Sequence, residues 1–247
     1  MEDVVTDAPP PSRFSPDDLD NFAAPPPQPT PILVVSPANP SPAPRRLLIL
    51  LISPTSLALL PHLPSPPPLH ASLLLPELPL ERSQPPIRVY LHAPSGALLA
   101  AAHGPAPVPA HRARAVARSL VSALQPEEVL VLDAVRSGAY RGRLAADEPV
   151  EGKLETRAAR GRGGVGAARG VAALAPPGSV VDGLGAAVLA ECEMRGKAAS
   201  MVVTWPDGAR PAELGVMRRV AAELGVDPAK AAAGRVAGRA ELDALYT

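Results

Sequence analysis

Residues 46–53 read RLLILLIS, a short and continuous apolar run bounded by turn-forming residues. Such a run is typical of a strand that is buried on both faces of a sheet. Two later runs have the same character, EVLVLDAV at residues 128–135 and AASMVVT at residues 198–204. Helical patterns separate these runs along the chain. The sequence therefore predicts an α/β fold with a single, mostly parallel sheet and helices on both faces.

The segments between these runs carry helix and turn signals. Ser53-Pro54 is typical of an N-cap followed by proline at the first helical position. A further apolar run at residues 69–75 predicts a second strand. The order strand, helix, strand predicts a parallel α/β layer. A Pro-Gly turn predicts a hairpin of residues 87–92 and 97–103. Apolar spacing places an amphipathic helix at residues 110–124, with its arginines mostly off the apolar stripe. Further helices are predicted at residues 54–60, 179–195 and 211–224.

Proline and glycine content predicts the domain organisation. The chain holds 34 Pro and 19 Gly, and the prolines crowd residues 1–45, which we expect to be a disordered arm. Its apolar island at residues 32–35 is interpreted as packing on the body of the protein, with a partner as the alternative. Residues 46–226 form the predicted α/β domain, with a surface-loop insertion at residues 136–170. Residues 227–247 form a flexible C-terminal segment.

Charge and cysteine usage exclude several classes of partner. Lys plus Arg and Asp plus Glu both number 24, and aromatics make up 2% of residues, so a nucleic-acid partner is not predicted. The single cysteine, Cys192, fits a reducing compartment. The first 20 residues lack the apolar stretch of a signal peptide, and residues 47–63 are too short and too proline-broken to span a membrane. These features predict a cytoplasmic or nuclear protein that does not bind membranes.

Two glycine motifs raise the question of nucleotide binding. Gly161, Gly163 and Gly166 satisfy G-x-G-x-x-G, but no apolar strand precedes them, which favours a mobile loop. Gly183 and Gly185 open a helix that Asp182 is placed to cap. Close packing of that helix is the favoured interpretation, and a small nucleotide-binding α/β enzyme remains the alternative.

No pattern predicts catalysis, a metal or a cofactor. Cys192 falls on the apolar stripe of a helix, where a thiol is inert. Ser179, Asp133 and His111 hold the residue types of a triad, but no G-x-S-x-G elbow presents the serine. The histidines lack the i, i+4 spacing of a helical metal pair. The sequence therefore predicts a binding protein rather than an enzyme.

The last three residues, Leu245, Tyr246 and Thr247, form the predicted partner-binding site. A terminal carboxylate gives a partner a full negative charge to capture, and Tyr246 adds an apolar ring with a polar tip. Leu245 adds aliphatic burial. An aliphatic-aromatic end of this kind is unusual for a soluble tail, which predicts docking into a pocket.

Three stretches together resemble the proteasome assembly chaperone 1 family, in the form found in plants. They are MEDVVTDAPPPSRFSPDDLDNF at residues 1–22, VLVLDAVRSGAYRGRL with KLET at residues 129–144 and 153–156, and GSVVDGLGAAVLAECEMRGKAASMVVTWPD at residues 178–207. The resemblance implies a heterodimer with a second, related chaperone that binds the α-ring subunits of the proteasome during assembly. It also implies that a C-terminal hydrophobic-Tyr-any residue motif enters a pocket between α subunits, and Leu245, Tyr246 and Thr247 match that motif. A third hypothesis is an adaptor that binds through its proline-rich arm.

Overall fold

The protein is described here by a computed structural model that covers residues 27–36, 46–77, 85–102, 108–145 and 148–231. Predictions for residues 1–26 lie outside the described residues. So does the predicted binding site at Leu245, Tyr246 and Thr247. Among the described residues, no helix has the length and apolar character needed to cross a membrane.

Eight strands form one sheet, in the spatial order β1-β3-β4-β5-β2-β6-β8-β7. The strands are β1 (Ile32–Val35), β2 (Leu47–Leu51), β3 (Leu69–Leu74), β4 (Ile87–His92), β5 (Ala97–Ala101), β6 (Glu128–Ala134), β7 (Val150–Glu155) and β8 (Ala198–Trp205). The helices are α1 (Pro54–Leu57), α2 (Ala110–Leu124), α3 (Arg157–Arg160), α4 (Gly183–Met194) and α5 (Gly215–Glu223). The predicted single sheet of an α/β fold is confirmed.

The centre of the sheet is parallel and buried on both faces. β5, β2, β6 and β8 pair in parallel, and nearly every side chain in them is buried. Leu48 and Leu50 pack with α2 and α4 on one face, while Ile49 and Leu51 pack with α5 on the other. Residues 46–53 thus form the predicted buried strand, and helices cover both faces as predicted.

The remaining strands pair antiparallel at the two edges of the sheet. β4 and β5 form the predicted hairpin, in which Gly96 takes a positive φ of 66°. The strand-helix-strand prediction needs a correction, because β3 pairs with β1 and β4 rather than with β2. β3 does run in the same direction as β2, but β4 and β5 lie between them. The sheet is therefore mixed, with its parallel pairs at the centre.

The proline-rich arm is not structureless throughout. Its apolar island is β1, which pairs with β3 and so docks on the body of the same chain. Arg112 on α2 binds the residues that precede β1. It donates hydrogen bonds to Gln28 Oε1 at 3.2 Å and to the Pro29 carbonyl. Arg112 is buried while Arg114 and Arg118 are exposed, so it is the exception among arginines predicted to lie mostly off the apolar stripe. Its guanidinium turns inward because it binds the arm.

Residues 136–170 are more ordered than the predicted surface loop. β7 pairs antiparallel with β8, and Thr156 caps α3 by accepting a hydrogen bond from the Ala159 amide at 3.3 Å. Ala159, Val165 and Ala168 are buried in the cluster that α5 also contacts. This part of the sheet is covered mainly by small side chains at irregular spacing. The segment therefore shows no apolar periodicity, and its burial was not predicted.

Candidate functional site

A crevice lies at the carboxyl ends of β2 and β6. The chain leaves β2 toward the β5 side of the sheet and leaves β6 toward the β8 side. In open α/β sheets, this reversal is where ligands bind, because the two connections separate and leave a gap between the strand ends. Register pairs Leu51 with Leu132, so Ile52 comes opposite Asp133. Ser53 and Asp133 both line the mouth of the gap.

Asp133 is the central polar group of the crevice. It follows the buried run of β6 and is only 7% exposed. Its Oδ1 accepts a hydrogen bond from the Ala134 amide at 2.8 Å, and no other side-chain hydrogen bond of Asp133 is found among the described residues. Burial raises the pKa of this carboxyl from 3.8 to about 6, and neighbouring Asp182 and Asp207 act in the same direction. The Ala134 amide and Arg136 oppose that shift.

Two hollows share the segment from Asp133 to Arg136. The inner hollow has a volume of about 10 Å³, and its walls include Tyr140, Val180 and Met201. The outer hollow has a volume of about 400 Å³ and extends between Ser53 and Asp207. Together they give a buried acidic group both a small enclosed space and a wider opening.

Arg136 and Asp182 form an ion pair at the rim of the crevice. Arg136 Nε lies 2.9 Å from Asp182 Oδ1, and both side chains are more than half exposed. Asp182 stands at the N-cap position of α4, but its side chain makes no capping hydrogen bond. The predicted cap is therefore wrong, because the carboxylate pairs with Arg136 instead.

Gly185 and Gly183 serve packing in this structure. A Cβ on Gly185 would lie 2.7 Å from Met201 Cε, 2.9 Å from Asp133 Oδ2 and 3.2 Å from Val131 Cγ1. A Cβ on Gly183, whose φ is +71°, would lie 2.8 Å from an Arg136 guanidinium nitrogen. These contacts favour the close-packing interpretation over the nucleotide-binding one, since side chains occupy the space a phosphate would need.

The other residues with reactive side chains do not form a catalytic arrangement. Burial raises the pKa of Cys192 to about 12, so its thiol stays protonated. Asp133 and Ser179 both line the inner hollow, but His111 lies on the exposed face of α2. The Ser179 hydroxyl donates to the Pro176 carbonyl at 3.0 Å. Within the described residues, no group of acidic, His or Cys side chains is arranged to hold a metal.

An apolar strip lies at the β1 edge of the sheet. It consists of Ile32, Val34, Val35 and Leu69, which are 52%, 49%, 47% and 41% exposed. Only two other large apolar side chains among the described residues are exposed to this degree. Grouped apolar side chains at a surface are typical of contact with another protein, whereas single ones are common everywhere.

Sequence reasoning missed the crevice but located its parts. It predicted a buried strand over residues 128–135, near whose end Asp133 lies, and a helix opening at Gly183, without joining them. The available signal was an acidic residue at the carboxyl end of a buried strand, together with glycines that admit a helix close to it. Strand order was needed to bring these two segments together.

Comparison with known proteins gives likeness of structure only. No family model matches the sequence, and no curated protein does. Pyrococcus furiosus PbaB, an archaeal proteasome activator, matches with a TM-score of 0.58 at 14% identity, over 88% of this chain and 98% of PbaB. PbaA of the same organism, an archaeal homolog of proteasome-assembly chaperone, matches with a TM-score of 0.56 at 15% identity, over 88% of this chain and 90% of PbaA. A Mycobacterium tuberculosis protein of unknown function matches with a TM-score of 0.51 at 15% identity, over 89% and 86% of the two chains. The chain thus shares its fold with these proteins.

Proposed function

We propose that this protein is a proteasome assembly chaperone, which acts by binding and without catalysis or a cofactor. It pairs with a second, related chaperone and binds the α subunits of the proteasome in the cytoplasm or the nucleus. Its C-terminal residues Leu245, Tyr246 and Thr247 enter a pocket between adjacent α subunits. The observation that carries the proposal is the fold shared with PbaA and PbaB over nearly the whole chain.

The sequence resemblance supports the same proposal from a separate direction. Two of its stretches, residues 129–144 and 178–207, form β6 with the turn after it and α4 with β8. These elements adjoin each other in the fold, since β6 pairs with β8 along seven residue pairs. The stretches that resemble the chaperone family therefore make up one continuous part of the protein.

The residue from which the tail extends is fixed on the body of the protein, as a tethered tail requires. Ala231 is buried in the cluster that α5 contacts, so the segment starts from a fixed point on the body. The 16 residues 232–247 that follow reach about 50 Å when extended. Such a length lets the tail reach a pocket while the body contacts the surface beside it.

Energetics predict that the tail alone binds weakly. Burial of one apolar side chain contributes about 1.5–3 kcal/mol and a charged hydrogen bond about the same. The loss of translational and rotational freedom on association offsets most of that gain. A second contact, from the body or the partner chaperone, raises the effective concentration of the tail and gives useful affinity.

Capture of proteasomal α subunits by the full-length protein tests the proposal. We expect full-length protein with its partner chaperone to retain α subunits. Tyr246→Ala, or one residue appended after Thr247, should lower the affinity about tenfold or more, because each removes a contact worth over about 1.4 kcal/mol. Leu242→Ala is the matched control in the same segment and should change the affinity little.

The outcomes separate the tail from the chaperone role. Unchanged affinity in both tail variants would show that the tail does not dock, while the chaperone role would stand. Failure of the full-length protein to bind any α subunit, with or without a related chaperone, would refute the chaperone role itself.

A further inference from the structure

We propose that the crevice binds a primary alkylammonium group, with its nitrogen against Asp133 in the inner hollow and its alkyl chain in the outer hollow. This site is independent of the chaperone role and of the C-terminal tail. The argument rests on an unsatisfied carboxylate oxygen, on a deficit of positive charge and on the shape of the two hollows.

The unsatisfied atom is Asp133 Oδ2. Oδ1 is paired with the Ala134 amide, whereas Oδ2 makes no hydrogen bond to any of the residues that the structure describes. Asp133 is only 7% exposed, so a donor that reaches this oxygen pairs with it in a mostly buried setting, where a hydrogen bond is stronger than in water. Asp133 lines both hollows, so a donor that enters the crevice can reach this oxygen.

The charges around Asp133 favour a cation over a neutral donor. Asp182 and Asp207 place further negative charge near Asp133, and Arg136 is the cation that acts on it. Arg136 is already paired with Asp182 at the exposed rim. Its charge is therefore largely offset, and an ammonium group in the inner hollow would give Asp133 a counter-ion of its own.

The shapes of the hollows select the form of the cation. An inner volume of about 10 Å³ admits a group close to the size of one water molecule, which fits an ammonium but not a planar guanidinium. Val180, Met201 and Val203 give this hollow apolar walls. The outer hollow of about 400 Å³ has room for an attached chain.

Binding of butylammonium chloride to the full-length protein, measured by calorimetry at pH 7.5, tests this proposal. We expect saturable binding of butylammonium and none of 1-butanol, which has the same chain without the charge. Asp133→Asn should weaken butylammonium binding about tenfold or more, since hydrogen bonds to charged groups are worth about that factor. Asp227→Asn, an exposed aspartate that does not line the crevice, is the matched control and should bind as the unaltered protein does.

A spectroscopic measurement keeps the test informative if Asp133→Asn does not fold. The carboxyl carbon of Asp133 is followed by NMR through a pH titration, with and without butylammonium. A bound ammonium should shift its titration to lower pH, because a nearby positive charge favours the ionised form. Binding should weaken below pH 6, as Asp133 takes up a proton while facing Arg136, Asp182 and Asp207.

The source of the group is distinguished by a second probe, Nα-acetyl-lysine methylamide. Tighter binding of this probe assigns the site to a lysine side chain, and tighter binding of butylammonium assigns it to a free amine. Equal binding of butylammonium and butanol, an unshifted Asp133 titration, or equal affinity in unaltered protein and Asp133→Asn would each overturn the proposal.

Discussion

The parallel centre of the sheet and its antiparallel β1-β3-β4 edge differ in how many faces of their strands are buried. In the centre, helices cover both faces, and successive residues of each strand are buried alike. At the edge, Leu73 and Val89 are buried on the α2 face, while Ser72 and Arg88 on the opposite face remain partly exposed. The centre therefore buries both faces of its strands, whereas the edge buries one face and leaves surface available for contact with other molecules.

This difference also separates the two surfaces on which a binding function can act. The crevice exists because connections leave the parallel strands in opposite directions. The apolar strip of Ile32, Val34, Val35 and Leu69 exists because the described residues leave these side chains 41–52% exposed at the β1 edge. One surface presents charge in a confined space, and the other presents apolar side chains on an open one.

The largest expected effect tests the burial difference with two pairs of adjacent leucines, one pair on β2 and one on β3. Leu50→Ala and Leu51→Ala remove buried side chains from opposite faces of β2, so each should destabilise the protein by about 2–5 kcal/mol. Leu73→Ala on β3 should cost a similar amount. Leu74→Ala, on the open face of the same strand, should cost about 1 kcal/mol or less, because that side chain is only partly buried.

Urea unfolding measures these four free energies of unfolding in one series. Leu73 and Leu74 form the matched pair, since they are neighbours of the same type on opposite faces. A cost for Leu74→Ala equal to that for Leu73→Ala would mean that the β3 face is covered in solution, and the comparison of centre and edge would fail.

The second prediction concerns the charge that the parallel centre buries at its carboxyl end. The pKa of Asp133 rises from 3.8 to about 6 on folding, so the folded protein holds more protons than the unfolded chain between these values. Stability should therefore fall as the pH rises from 4 to 6 and stay low above that range. One unit of pKa corresponds to about 1.4 kcal/mol, so the loss is roughly 3 kcal/mol.

Chemical unfolding at pH 4 and at pH 7, for unaltered protein and for Asp133→Asn, measures this contribution. Relative to Asp133→Asn, the unaltered protein should lose roughly 2 kcal/mol between the two pH values, because the unfolded carboxyl is already partly ionised at pH 4. Asp207→Asn at the exposed side of the crevice is the control for the loss of one carboxylate. Parallel pH profiles for the unaltered protein and Asp133→Asn would contradict the burial of this carboxyl.

The centre of the sheet was easier to predict from the sequence than its edges. Strands buried on both faces read as continuous apolar runs, so residues 46–53 and 128–135 predicted the centre of the sheet. Helix α2 was predicted at its observed bounds, because a helix covering a sheet shows a regular apolar stripe.

Non-local contacts account for what the sequence left open. Arg112 is polar, yet it turns inward to bind an arm about 80 residues away along the chain. Residues 157–169 bury small side chains that carry no periodic signal. The crevice at Asp133 depends on strand order, which local patterns do not determine. The tail at Leu245, Tyr246 and Thr247 stays a prediction.

The third prediction tests how the β7 edge is covered, in contrast to the β1 edge. Residues next to β7 hydrogen-bond to Lys153, whose amide donates to the Ala172 carbonyl at 2.9 Å. A Cβ on Gly152 would lie 2.9 Å from Leu174 Cα and 2.7 Å from its Cδ1. Gly152→Ala should therefore destabilise the protein by about 1–3 kcal/mol, because the backbone at Leu174 would have to move to make room for the added Cβ.

Thermal unfolding checks this value against a glycine with free space around it. Gly138→Ala is the control, because a Cβ there meets no atom within 4 Å, and it should change stability by less than about 0.5 kcal/mol. Equal stability of the two variants would show that residues 172–174 do not cover the edge.

The smallest expected effect concerns the attachment of β1, on which the open edge depends. Arg112 Nε lies 2.6 Å from Glu77 Oε1, and this contact is an ion pair rather than an aligned hydrogen bond, since Nε–H makes none among the described residues. Glu77 is one-third exposed, so solvent weakens the pair. Arg112→Met keeps the aliphatic stem, and the loss of its hydrogen bonds to residues 28, 29 and 77 should cost about 1–2 kcal/mol.

Hydrogen exchange locates that loss. The amides of Ile32 and Val34 should exchange about tenfold faster in Arg112→Met, while the amides of β2 keep their protection, because β1 detaches without unfolding of the centre. Arg118→Met removes an exposed arginine from the same helix and should leave β1 unchanged. Loss of protection in β1 and β2 together would place the edge in the same cooperative unit as the centre. The apolar strip would then not be a surface that can detach separately from the core.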